Sequence, residues 1–212
     1  MSRKFLAVFL ALTISVLCLS SCTANSFSDS DMDIYEKIHK YYNKMESYSA
    51  CLNFTVISNK TQNEYVATQK ALGNDKFWIE VKDEKNNLSL TTILNGTKAK
   101  LLSDESSLSV AVPTKDILSL LFVNSFFDNY YASEETSLLV NSLNGGNFTT
   151  LETELSVENS KAKYITLSIN NKTLSPEKIE ISDIGKKVWL TGTFSDFKYN
   201  DNSINDSVFN TD

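Results

Sequence analysis

The feature that most constrains this chain is a change of hydrophobic period near residue 50. From Ala50 the apolar positions recur every second residue. Leu52, Phe54 and Val56 alternate with Asn53 and Thr55, and Asn59–Asn63 then reads as a turn. Further runs follow at 64–72, 76–81, 88–94, 97–102 and 107–112, the last ending at Pro113. Phe77, Ile79 and Val81 share one face of their run, and Trp78 lies on the other. Asn95-Gly96 is the strongest hairpin signal. The pattern resumes at 148–155, 163–169, 178–182 and 188–199, with a short candidate element at 138–140. Short alternating runs joined by tight turns predict an antiparallel meander.

Two segments break that period. Ile34, Tyr35, Ile38, Tyr41, Tyr42, Met45 and Tyr48 recur at three and four, predicting an amphipathic helix with acid in its first turn. Residues 114–131 are apolar on nearly every side, which predicts a helix that is covered or that covers something apolar. Thr114 and Asp116 suit its start. Leu118, Leu121, Phe122, Phe126 and Phe127 of this segment are candidates for an apolar cavity or interaction surface, together with Trp78 and Trp189. The two tryptophans read either as core or as binding hot spots.

The N-terminus reads as an address. Arg3-Lys4 precedes an apolar run from Phe5 to Leu19, and Leu19-Ser20-Ser21-Cys22 closes it. This is a secretory signal with cleavage between Ser21 and Cys22. The ending resembles the lipobox of bacterial lipoproteins, which implies acylation of Cys22. Residues 1–21 are then the signal peptide, 22–31 a lipidated terminus and linker, and 32–212 the folded domain. The run is too short to span a bilayer comfortably, whereas two acyl chains on one cysteine anchor stably. Losing Arg3 and Lys4 leaves 18 basic residues against 26 acidic ones, a formal −8. Such a body stands off anionic lipid.

Composition narrows the chemistry. Arg3 is the sole arginine, which argues against nucleic-acid binding. His39 is the sole histidine and reads as a surface residue, so no Ser-His-Asp or Cys-His arrangement exists. No metal-ligand spacing and no phosphate-cradling glycine loop is present, and neither a cofactor nor a metal is expected. The paired carboxylates, such as Glu134-Glu135, read as solvated turns and caps, with two-carboxylate glycosidase chemistry as the alternative. With Cys18 removed and Cys22 acylated, Cys51 stands alone. It reads as a small strand residue, with a reactive thiol or an intermolecular bridge as alternatives.

Taken in order, a lipobox, a helix ending in Lys44-Met45-Glu46-Ser47-Tyr48-Ser49-Ala50 and an antiparallel meander with an apolar helix form one pattern. Leu174-Ser175-Pro176-Glu177-Lys178-Ile179, Phe194-Ser195-Asp196-Phe197-Lys198-Tyr199-Asn200 and Ile204-Asn205-Asp206-Ser207-Val208-Phe209 complete it. The pattern resembles the LolA/LolB-like superfamily of lipoprotein carriers over most of residues 32–209. The resemblance implies an α+β, mainly antiparallel β fold: a curved, incomplete β-barrel with helices covering its concave face. The chain departs from the soluble carriers in having its own anchor and in lacking the arginine they place inside the barrel. Within the superfamily it is most similar to germination lipoproteins of spore-forming clostridia. That similarity implies a noncatalytic protein, anchored on the extracytoplasmic face, with the outer forespore membrane facing the cortex as its site. Its implied partner is a cell-wall N-acetylmuramoyl-L-alanine amidase that it binds and activates. A lipid- or lipoprotein-binding module holding acyl chains in the half-barrel is the alternative. Exchange of the first helix or of an edge strand would give a swapped homodimer.

Overall fold

The computed structural model describes residues 29–83, 88–103, 107–111, 117–133, 136–141, 148–155 and 162–211. The chain divides into Met1–Asp33 and Ile34–Asp212. The signal peptide, Ser21 and Cys22 lie outside the described residues, as do Thr114, Asp116, Glu134 and Glu135. Helix α1 (Asp29–Tyr42) begins inside the span 22–31 read as linker.

Strand β1 (Ser47–Ile57) starts earlier than the alternation in the sequence. Tyr48, which continues the helical spacing, is therefore a strand residue. Asn200 forces the change, because its Oδ1 accepts the backbone N–H groups of Glu46 and Ser47 at 2.8 and 3.4 Å. β2 (Gln62–Leu72), β3 (Lys76–Asp83), β4 (Leu88–Asn95), β5 (Lys98–Ser103) and β6 (Ser107–Ala111) follow. A 3-10 turn (Ile117–Leu121) and helix α2 (Val123–Ala132) come next. Then come β7 (Thr136–Asn141), β8 (Phe148–Glu154), β9 (Tyr164–Asn170), β10 (Pro176–Ser182) and β11 (Val188–Tyr199), and a second 3-10 turn at Asp206–Phe209.

Among the described residues, eleven strands form one antiparallel sheet in the order β6-β5-β4-β3-β2-β1-β11-β10-β9-β8-β7. β6 and β7 are its two edges, so the sheet is not closed into a barrel. Its curvature follows from what α2 touches. Just before α2, Phe122 packs on Phe77 of β3 at 4.7 Å, and the carbonyl of Asn129 accepts from Thr153 of β8 at 3.5 Å. β3 and β8 are six strand positions apart, about 29 Å if flat at about 4.8 Å per strand. Phe122 to Asn129 spans only about 10 Å of helix. The sheet must curl around the helix to bring both strands to it. Gly192, in the middle of β11, permits this: a Cβ there would stand 2.9 Å from Leu52 Cδ1 and 3.1 Å from Ile179 Cγ2. This is the α+β half-barrel that the resemblance implied.

The apolar segment is not one helix. Phe122 is extended (φ −91, ψ 138) between the 3-10 turn and α2. The break leaves backbone groups inside the core, and two side chains of the sheet satisfy them. Gln69 Nε2 donates to the Leu121 carbonyl at 3.1 Å, and the Val123 N–H donates to Tyr48 Oη at 3.0 Å. Tyr48 Oη in turn donates to Gln69 Oε1 at 3.3 Å. Both residues are fully buried.

The convex face has a smaller core. Ile204 and Phe209 of the C-terminal tail pack with Ile93, Trp78, Leu72 and Leu102. The tail starts from Asp201, whose Oδ2 accepts from Ser49 Oγ at 2.6 Å. This bond and those from Ser203 hold the Asp201 carboxyl down at about 2.

Candidate functional site

The residues expected to form an apolar cavity or interaction surface are distributed over two clusters. Leu121, Phe122, Phe126 and Phe127 are buried in the main core. Tyr42 stacks on Phe127 at 4.2 Å and Phe126 meets Phe127 edge-on at 5.3 Å, so the space beneath α2 is filled with rings. Leu118 lies in the 3-10 turn, and its side chain is outside the described residues. Trp78 is on the convex face with the tail, and Lys70 Nζ sits 4.9 Å from its ring centre. Trp189 is half-buried and packs against the main core. The structure thus brings four of the seven together, as packing, and places the two tryptophans in separate apolar clusters.

The buried phenols of this covered end are held neutral and bonded, whereas Asn124 Oδ1 of α2 is buried without a hydrogen-bond partner among the described residues. Burial pushes the phenols of Tyr42 and Tyr48 well above their ordinary value. Tyr42 Oη donates to the Leu174 carbonyl at 2.7 Å. Tyr131, exposed on the outer side of α2, is pushed up to about 12 by burial of part of its ring and then by the neighbouring Tyr35 and Asp128. His39 lies beside it, ring centres 4.7 Å apart, with Asn43 Nδ2 2.8 Å from its Nδ1. Cys51 is a free, half-buried residue of β1, pointing to the face opposite Ala50 and Leu52.

The concave face is open at its other end. Phe54 and Val56 of β1, Tyr65 of β2, Val81 and Asp83 of β3, and Leu88, Leu90 and Thr92 of β4 line a groove of about 370 Å³. These positions continue the inward alternation of the core. Phe54 pairs with Tyr65, stacked at 5.2 Å, and Val81 pairs with Leu90. Phe54 forms a buried floor at 7% exposure, whereas Leu88 and Leu90 are 63% and 40% exposed. Among the described residues no helical side chain lines this groove. Inward leucines left open on a sheet face offer apolar area to a ligand. None of the groove residues stood out in the sequence, where Leu88 and Leu90 look like any inward strand positions. The available signal was length: residues 117–132 are too few to cover eleven strands from end to end.

A second hollow of about 370 Å³ lies on β1, β2, β3 and β11, with Asn53, Thr55, Glu64, Lys82 and Thr193 making it polar. Among the described residues no group of His, Cys, Asp or Glu could hold a metal ion, and no helix is long and apolar enough to cross a membrane.

Comparison with known proteins adds a family. Similar solved structures include the LolA superfamily protein NE2245 from Nitrosomonas europaea, at 13% identity over 85% of this chain and 97% of that one, TM-score 0.47. The Clostridioides difficile CwlD amidase in complex with the GerS lipoprotein is similar at 26% identity over 82% of this chain and 98% of the matched chain, TM-score 0.45. LprF from Mycobacterium bovis is similar at 12% identity over 80% and 93%, TM-score 0.44. No curated protein matches the chain. A family model described as sporulation protein YdcC-like matches residues 2–209, nearly the whole sequence, and the chain therefore belongs to that family.

Proposed function

We propose that this sporulation-family protein is a noncatalytic binding protein, lipid-anchored through Cys22 on the extracytoplasmic face of a membrane, and that the concave groove is its binding element. The open groove is the observation that carries this reading. Its wall offers leucine, valine and phenylalanine side chains, which bind by burial. Its volume is at the lower end of the ~300–1,000 Å³ usual for small-ligand sites. An acyl chain of a lipid or lipoprotein fits such a lining, each buried methylene contributing about 0.8 kcal/mol. Native mass spectrometry of the purified protein should retain lipid, and Leu90→Glu should remove it. A lipid-free protein that also fails to take up a fluorescent fatty acid would sink the reading. For the anchor, Cys22→Ala should abolish incorporation of labelled palmitate and release the protein from membranes.

A second reading concerns a protein partner. The residue pattern from Lys44 to Phe209 is similar to that of germination lipoproteins, and GerS was solved in complex with an amidase. On this reading the chain binds and activates an N-acetylmuramoyl-L-alanine amidase at the outer forespore membrane, facing the cortex. Mixing the Cys22→Ala chain with the amidase of the same cell should give a complex by size exclusion and a gain in muramoyl-amide cleavage. Two separate peaks and unchanged cleavage would remove it. Sedimentation of the chain alone tests the swapped homodimer, which requires twice the monomer mass.

A further inference from the structure

The groove has a wall that is held from behind. We propose that the C-terminal tail, residues 201–211, is a positioning element for the groove, acting through the β3–β4 hairpin; this rests on the groove being the binding element. Trp78 and Ile93 are direct cross-strand partners on the convex side of the hairpin. Phe209, fully buried, packs with them through the tail's apolar cluster. Asn95 Nδ2 donates to the Phe209 carbonyl at 3.1 Å, and Lys76 Nζ pairs with Asp206. On the concave side of the same end, Phe77 packs on Phe122 at 4.7 Å. One end of the hairpin is therefore gripped on both faces.

The other end carries the groove wall. Val81 and Leu90 are partners there, and Asp83 pairs with Leu88. Among the described residues, the ladder from β2 runs to Lys82 and that from β5 to Leu90. The end bearing Leu88 thus extends, among the described residues, past the β2 ladder and carries none of the apolar layers of the gripped end. Regions with few buried apolar contacts open at lower free energy. A pair of strands fixed at one end moves at the other when the fixation loosens. The distance from Val81 and Leu90 to Phe54 and Val56 sets the width of the groove, and the tail sets that distance without touching a ligand. Phe209 is then a positioning residue.

The test uses the full chain carrying Cys22→Ala, so that detergent is not needed, with a fluorescent fatty acid as probe. Phe209→Ala should weaken binding about fivefold or more, chiefly through faster dissociation. Amide exchange should accelerate at residues 81–83 and 88–90 and stay unchanged in β9 and β10. Phe209→Leu should restore most of both. Should Phe209→Ala fail to fold, Val208→Ala takes its place, with the same direction expected at smaller size. Loss of binding in Leu90→Glu alongside parental binding in a folded tail variant would overturn the tail's role and keep the groove. Unchanged binding in Leu90→Glu would overturn the groove reading; the tail proposal then stands or falls on exchange at residues 81–83 and 88–90.

Discussion

The two ends of the concave face are built from the same strands with the same inward alternation, yet they differ in what lies over them. At the covered end, Phe77, Tyr48 and Gln69 meet the 3-10 turn and α2, and the hydrogen-bonding groups between them are bonded. At the open end, Phe54, Val81 and Leu90 face a groove. Inward alternation tells which face of a strand is apolar, and says nothing about whether that face is closed. Closure is a property of the helical segment, whose reach is set by its length and its break at Phe122.

The comparison breaks most visibly at Phe122. Phe122→Ala empties the centre of the covered end and should cost about 3–5 kcal/mol, read as a lower urea midpoint. A loss below 1 kcal/mol would mean the covered end is no better packed than the open one. Next comes Gly192→Ala, where the new methyl meets Leu52 and Ile179; a loss of about 1–3 kcal/mol is expected. The third test is alkaline pH. The phenols of Tyr42 and Tyr48 titrate higher in the fold than unfolded, so their contribution is complete below about pH 10 and is lost as pH rises above it. Phenolate absorbance should therefore rise in two stages, exposed tyrosines first and these two only as the circular dichroism collapses. A single smooth titration with the fold intact would contradict the burial argument. The smallest effect on stability belongs to the open end. Leu88→Ser should change it by no more than about 0.5 kcal/mol while weakening uptake of a fluorescent fatty acid.

Much of the sheet was legible in the chain because turns and alternation are local. The Asn95-Gly96 hairpin is where the sequence places it, with Gly96 at φ 60. The break at Phe122 was not legible. Residues 117–132 contain no proline or glycine, and the groups that stabilise the break come from Tyr48 and Gln69, far away in the chain. Gln69 at an inward strand position was the one available hint, since a buried amide needs partners. The tail showed Ile204, Val208 and Phe209 as isolated apolar residues among polar ones, and only the fold reveals Trp78 and Ile93 as their counterpart. Of the candidates for an apolar cavity or interaction surface, Leu121, Phe122, Phe126 and Phe127 lie in the packed core for a related reason. Apolar density in sequence marks what is buried, and a binding groove is the part of that surface left over.

The placement of the two tryptophans has a practical consequence. Trp78 lies under the tail in the smaller apolar cluster, and Trp189 packs against the main core. Each cluster thus carries its own intrinsic fluorophore, and the chain has only these two. With Trp189→Phe the emission reports the tail alone, and with Trp78→Phe the main core alone. The two clusters are thus labelled separately, so a change in the main core and a motion of the tail can be watched in the same cuvette.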